Sequence, residues 1–298
     1  MNKIVLPMAE DHSSSTQCWL YRLAAMLSRS LPHNFVYWLG LRVADLYCWR
    51  RVAERQAVMN NLCRIFAARG AIPAASALSG LARKTFQNFG KYLVDFFRFA
   101  QLTEAELRRF VSLEHVEFLQ AAAARGKGVL LVTAHLGNWE LGGAVITALG
   151  YRLNAVALPQ RIEQLNRLFT RQRESRGLHI MPLGHAVFNI VQCLRRGEMV
   201  ALLGDRNFTH QTERYDFFGV PAPLPRGPAW LAMHTSAPLV PIFLLRQEDD
   251  TFLLRCHPPI YPDAAASEEA IRARWLAVLE KEIAAEPCQW FIFEDFWQ

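Results

Sequence analysis

A chain of 298 residues with 52% hydrophobic and 20% charged side chains can bury a large core, which excludes a disordered or fibrous protein. Its formal net charge of +6 and sequence pI of about 9.1 favour an acidic partner, such as anionic lipid head groups, an acidic carrier protein or nucleic acid. The six cysteines (Cys18, Cys48, Cys63, Cys193, Cys256, Cys288) form no C-x-x-C pair and have no His at zinc-ligand spacing. They read as reduced, mostly buried thiols of a cytosol-facing protein.

In chain order, the apolar run Ile4 to Met8 is too short for a signal peptide, being followed by Glu10 and Asp11. Leu20, Leu23, Leu27 and Leu31, then Phe35, Trp38, Leu39, Val43 and Leu46, recur at three- and four-residue spacings, the pattern of amphipathic helices. Pro32 and Pro73 break the stretch, so at least three helices are expected before Leu102. Arg22, Arg29, His33 and Arg42 interrupt the most apolar window, Trp19 to Trp49, which leaves it short of a spanning helix. Arginines set among exposed-type aromatics fit a helix lying on an anionic membrane, and they fit equally a solvated basic face.

Beyond Gly126 the pattern changes. Val129–Val132, Met199–Leu203, Leu239–Leu245 and Phe252–Leu254 read as strands, and 140–149, 162–176, 187–196, 228–234 and 268–283 as helices. This alternation predicts an α/β fold: a central, mostly parallel or mixed sheet flanked by helices, with a helical N-terminal extension. Residues 1–100 are assigned to that extension, read as lying on the membrane surface, and 101–298 to one continuous α/β domain.

The segment Thr133-Ala-His135-Leu-Gly-Asn138-Trp-Glu140 follows the strand at Val129 and opens a helix near Asn138. It places His135 at the carboxyl end of a strand, where open α/β sheets bind ligands. On one continuous helix, residues five apart point about 140° away from each other. A turn through Leu136 and Gly137 removes that obstacle, so Glu140 is expected to fold back and fix the His135 tautomer, leaving the other ring nitrogen as a general base. Asn138 as N-cap with an acid in the first turn is also ordinary helix-start chemistry. The expectation therefore requires contact between Glu140 and the imidazole, and a cavity at the ring.

T-A-H-L-G-N-W-E closely resembles the His-x4-acid motif of the lysophospholipid acyltransferase superfamily, and within it the bacterial lipid A late (lauroyl and myristoyl) acyltransferase family. Asn60-Asn61-Leu62, Phe86-Gln-Asn-Phe-Gly90, Gly204-Asp205-Arg206 and Pro287-x-Gln289-Trp290 resemble other signatures of that family. The resemblance implies an O-acyltransferase with His135 as base and Glu140 as its orienting acid. It also implies substrate contacts from Asp205, Arg206, Asn138 and one arginine of Phe169–Gly177, Arg173 first and Arg171 second.

Further expectations follow from the resemblance. Acyl carrier protein or acyl-CoA serves as the acyl donor and a lipid or glycolipid hydroxyl as acceptor, with no other cofactor and no metal. The protein lies peripherally on the cytoplasmic face of the bacterial inner membrane. No G-x-S-x-G elbow and no cysteine beside a base is present, so direct transfer without an acyl-enzyme is expected. The oxyanion would be met by helix-start amides or by Arg173. Nucleic acid is not an expected partner, because the arginines are not gathered with stacking aromatics; a non-catalytic lipid-binding protein on the same fold is the alternative.

The sequence departs from the family pattern in three places. It lacks an intact N-terminal spanning helix, has Asn207 where lipid A enzymes commonly carry a second acid, and ends in a tail, Gln289–Trp297, more like members outside the lipid A pathway.

Overall fold

The computed structural model describes residues 14–99, 102–157, 162–182, 186–207, 213–262 and 267–298. The run Ile4 to Met8, read as too short for a signal peptide, lies outside these residues. Four helices open the described chain: α1 (Ser14–Ser30), α2 (His33–Arg50), α3 (Val52–Ala67) and α4 (Ala75–Arg98). Pro32 stands as N-cap of α2 with φ −54 and ψ 140, since a proline blocks the helical conformation of the residue before it. Pro73 lies in the non-helical link between α3 and α4.

The rest alternates: α5 (Glu104–Phe110), β1 (Val111–Glu114), α6 (Val116–Ala123), β2 (Val129–Thr133), α7 (Trp139–Ala148), β3 (Leu153–Ala157), α8 (Glu163–Glu174), β4 (His179–Pro182), α9 (Ala186–Arg195) and β5 (Met199–Leu203). A small hairpin, β6 (Tyr215–Phe217) and β7 (Val220–Ala222), precedes α10 (Gly227–Thr235), β8 (Leu239–Arg246), β9 (Phe252–Cys256) and α11 (Glu268–Ala285). A 3₁₀ turn, Pro287–Gln289, leads into the tail. The seven strands of the main sheet are ordered β1-β9-β8-β2-β5-β3-β4. All neighbours run parallel except β8 against β9.

The four strands read from sequence are the hydrophobic ones, β2 and β8 at the centre among them. β1 and β4, at the two edges, and β3 are short and carry polar residues (Ser112, Glu114, Asn154, His179), so they lack the apolar run that signals a doubly covered strand.

The sheet is covered on both faces, and β2 shows how. Leu130 and Val132 enter a core with Ile190 and Leu194 of α9, Leu231 of α10, and Trp275, Leu279 and Ile283 of α11. Val129 and Leu131 enter the opposite core with Phe96 and Phe97 of α4, Leu119 of α6, and Leu141 and Val145 of α7. Successive side chains of a strand point to opposite faces, so the continuous apolar run VLLV feeds both layers. Each such aliphatic side chain contributes roughly 1.5–3 kcal/mol on burial.

The helical extension is tied to the sheet by charge as well as packing. Arg246, at the end of β8, bonds Asp95 of α4, the hydroxyl of Tyr37 of α2 at 2.8 Å and Asp250 at 3.2 Å. Tyr37 in turn donates to Asp95 at 2.6 Å, and Lys91 reaches Asp250 at 2.7 Å. A guanidinium and a carboxylate this deeply buried must satisfy each other.

Candidate active site

In the parallel register of β2 and β5, Thr133 lies opposite Leu203. His135 and Asp205 each stand two residues past that pair, so the register alone brings both to one carboxyl edge. The Gly204 amide donates to the Thr133 carbonyl at 2.8 Å, carrying the ladder one step further. A Cβ on Gly204 would meet Val132 at 2.8 Å and the Trp275 ring at 2.9 Å, so only glycine passes between β2 and α11 here.

Asp205 is completely buried and His135 is 1% exposed. Asp205 Oδ1 accepts from His135 Nδ1 at 2.8 Å, and Oδ2 accepts from the His135 amide at 2.9 Å and the Trp290 indole Nε1 at 3.0 Å. Burial pushes the Asp205 carboxyl up. The His135 charge and these hydrogen bonds outweigh burial and hold it below the ordinary carboxylate range. A carboxylate only accepts, so Nδ1 carries a proton, and in the neutral form of the ring the lone pair is then on Nε2. Nε2 is buried and has no hydrogen-bond partner among the described residues.

The partner expected for His135 is therefore corrected: Glu140 does not bond the imidazole. Its oxygens take Arg173 instead, from Nε at 3.0 Å and from Nη2 at 2.6 Å. The reason is the path between the two residues. Gly137 adopts φ +65, its amide bonds the Gln289 carbonyl at 3.0 Å, and the Asn138 amide bonds the Leu244 carbonyl at 2.8 Å. Helix α7 thus starts only after the chain has been pinned to the tail and to β8, and its first-turn acid meets the last turn of α8. Paired with Glu140, the Arg173 guanidinium is held above its ordinary value despite burial, and Arg173 also lies over the Phe169 ring at 5.9 Å.

Of the remaining expected residues, Asn138 is the N-cap of α7, accepting the Leu141 amide at 3.1 Å, with its Nδ2 3.5 Å from Asp95. Arg206 is buried and ion-paired with Glu294 of the tail. Arg171 is exposed on α8. Trp290 was legible only as part of a tail signature; its bond to Asp205 needed the fold.

Aromatic rings roof the His135 imidazole. Trp139 meets the His135 ring edge-on at 5.1 Å and stacks on Tyr92 at 4.5 Å, with Phe291 beyond at 5.8 Å from Tyr92. A narrow crevice lined by Asn88, Tyr92, Asn138, Gln289 and Phe291 flanks the turn, but His135 does not line it. Nε2 is shielded from bulk water, the His135 residue being 1% exposed.

Among the described residues no three His, Cys, Asp or Glu side chains gather as a metal-holding group. Burial pushes the Cys256 thiol up to about 12 and raises Cys48, Cys193 and Cys288 as well, which leaves them protonated and unreactive at neutral pH. No helix of the described residues is long and apolar enough to cross a membrane.

The profile of the bacterial lipid A biosynthesis acyltransferases matches residues 8–298. The chain belongs to that family. It is an O-acyltransferase of lipid biosynthesis, which decides against the non-catalytic alternative. Over 288 residues it is 28% identical to the phosphatidylinositol mannoside acyltransferase of Mycobacterium tuberculosis, covering 94% of this chain and 88% of the relative. The enzyme of the same name from Mycolicibacterium smegmatis is 27% identical over 287 residues, 93% of this chain and 90% of its own. The lipid A biosynthesis acyltransferase of Haemophilus influenzae is 28% identical over 152 residues, 50% of this chain and 46% of its own.

Proposed function

We propose that this acyltransferase moves a fatty acyl group from the thioester of acyl carrier protein or CoA to a hydroxyl of a glycolipid at a membrane surface, with His135 as general base oriented by Asp205. The observation that carries the reading is a buried, unpartnered Nε2 whose opposite nitrogen is fixed by a carboxylate. Nε2 takes the hydroxyl proton as the oxygen attacks the thioester carbonyl, and a tetrahedral oxyanion forms. Its collapse breaks the C–S bond, and the leaving thiolate takes the proton back from the imidazolium. General-base help of this kind is worth about 10²- to 10⁴-fold.

Asp205 stays ionised through the cycle and stabilises the imidazolium, because its own carboxyl is held low. The oxyanion would be met by first-turn amides of α7 or by Arg173, each donor being worth a few kcal/mol at acyl-transfer sites. The Glu140 pair keeps Arg173 charged and in place. No metal or further cofactor is needed, because a thioester already has a good leaving group.

The glycolipid acceptor is favoured by the relatives named for phosphatidylinositol mannoside, which match along nearly the whole chain, whereas the lipid A enzyme matches over half. Membrane contact is favoured by the outer faces of α1 and α2. Trp19, Trp38 and Trp49 are 67%, 54% and 68% exposed, beside exposed Leu23, Met26, Phe35 and Leu46 and the exposed Arg22, Arg42 and Arg50. Aromatic rings at head-group depth with interspersed arginines suit an anionic bilayer such as the cytoplasmic leaflet of the inner membrane.

The test is transfer of radiolabelled palmitate from palmitoyl-CoA and from palmitoyl-acyl carrier protein to a lipid extract of source cells lacking the gene. Label on a glycolipid with the native protein, and none with His135→Ala, is the expected result. Label confined to free fatty acid, or equal labelling by the variant, would remove the reading.

A further inference from the structure

The tail enters the site through its backbone. Residue 290 forms an antiparallel bridge with Leu136, the Phe291 amide donates to the His135 carbonyl at 2.8 Å, and the Gln289 carbonyl accepts from Gly137 at 3.0 Å. Gln289 is itself clamped to the end of β8, its Oε1 accepting the Arg246 amide at 2.9 Å and its Nε2 donating to the Arg246 carbonyl at 2.8 Å. The turn that carries His135 is therefore flanked by the tail, which pairs with it through backbone hydrogen bonds. Trp290, 3% exposed, is delivered by that pairing to Asp205, where its Nε1 donates to Oδ2 at 3.0 Å.

The bond divides the carboxylate. Oδ2 is taken by two N–H groups, the indole and the His135 amide, and Oδ1 is left to the ring. Without the indole, Oδ2 keeps only the His135 amide, and the carboxylate is held by that bond and the ring alone. The ring proton would then lose its fixed acceptor direction, and with it the aim of Nε2.

We propose that Trp290 is a positioning residue of this acyltransferase: its indole N–H orients Asp205 so that Asp205 holds His135 in the working tautomer. The inference rests on the reading of His135 and Asp205 given above. It also makes the C-terminal segment part of the active site. A purely packing role is the competing account, since Trp290 also meets Phe296 at 4.9 Å and Phe217 at 6.2 Å.

The full-length protein is tested in the palmitoyl-CoA assay with the same lipid extract. Trp290→Phe removes the N–H and part of the ring. Replacing Trp290 by benzothienylalanine through codon suppression keeps the bicyclic shape and exchanges N–H for sulfur, and 7-azatryptophan keeps both shape and N–H. Expected for the first two is a kcat lowered about 10- to 100-fold with KM within about twofold, the range of one hydrogen bond to a charged group. The acid limb of kcat/KM should move to higher pH, because an Asp205 relieved of one donor stabilises the imidazolium more strongly. The 7-aza analogue should keep native kcat.

Native kcat and pH profile in the benzothienyl protein, with His135→Ala inactive, would overturn the role of Trp290 and leave the base assignment standing. An active His135→Ala would instead strike the underlying reading. Should Trp290→Phe not fold, the benzothienyl protein decides alone. Failure of that isostere to fold would assign the indole to holding the tail, against the proposal.

Discussion

Asp205, seventy residues downstream of His135, holds that residue by both its ring and its backbone amide. The arrangement separates the two acids near the motif by task. Asp205 faces the imidazole, and Glu140 faces the Arg173 guanidinium.

Asp205→Asn should therefore be far more damaging to turnover than to folding. The amide can present N–H to Nδ1 and favour the wrong tautomer, and a fall in kcat of about 10³- to 10⁴-fold is expected. Steady-state kinetics beside a calorimetric melt checks it; a variant with native turnover would deny Asp205 the orienting role.

Glu140 and Arg173 should behave as one unit. Removing either partner leaves a buried charge uncompensated, at a cost of about 3–5 kcal/mol, so Glu140→Gln and Arg173→Met should each lower the denaturant midpoint. The double variant is expected to be less destabilised than the sum of the two. Strict additivity in a double-mutant cycle would show that the pair is not coupled.

Gly137→Ala meets two obstacles. The residue adopts φ +65, and an added Cβ would collide with the Leu244 carbonyl oxygen. Left-handed strain alone costs about 1–3 kcal/mol, and relief of the clash would displace the His135 turn from β8. Lower stability together with lower turnover is expected, and native values of both in urea titration and activity assays would contradict the close approach.

Acid should unfold the protein through carboxylates held low. Glu198, bonded by Arg196 at 2.9 Å and by Asn154, is lowered from 4.5 to about 2, in the face of some desolvation. A carboxyl depressed in the folded state contributes stability that is complete above about pH 4.5 and is lost as the pH falls towards 2. Asp205 acts in the same direction. Glu198→Gln should lower stability at pH 6 and flatten its decline between pH 4.5 and 2, measured by urea midpoints across that range.

Replacing the exposed Trp19, Trp38 and Trp49 together by serine should weaken sedimentation with vesicles containing phosphatidylglycerol, and added salt should weaken what remains. The melting temperature should stay close to native, because these rings are exposed. Vesicle binding unchanged by substitution and by salt would remove the membrane face from α1 and α2.

Much of the fold was legible because its signals are local. The heptad-like spacing from Leu20 to Leu46 and the stop at Pro32 gave helices, and the apolar run Val129–Val132 gave a central strand. The edge strands β1 and β4 were missed because four residues with mixed polarity carry no period strong enough to read. The T-A-H-L-G-N-W-E segment pointed to the edge where His135 lies, for the same reason that its strand was visible.

The partner of His135 is different in kind. Sequence order put Glu140 nearest, and it brings Asp205, seventy positions away, to the same edge only on the condition that the two strands run parallel. That choice depends on β2 and β5 being parallel neighbours in one register, on Gly137 turning α7 towards α8, and on the tail returning Trp290 beside the same turn. By itself the chain's sequence determined helices, central strands, the strand-end position of His135 and the family resemblance, because each is written in contiguous residues. Only the tertiary structure decided which carboxylate serves which cation, because pairing is settled by distance in space and by the cost of leaving a buried charge alone.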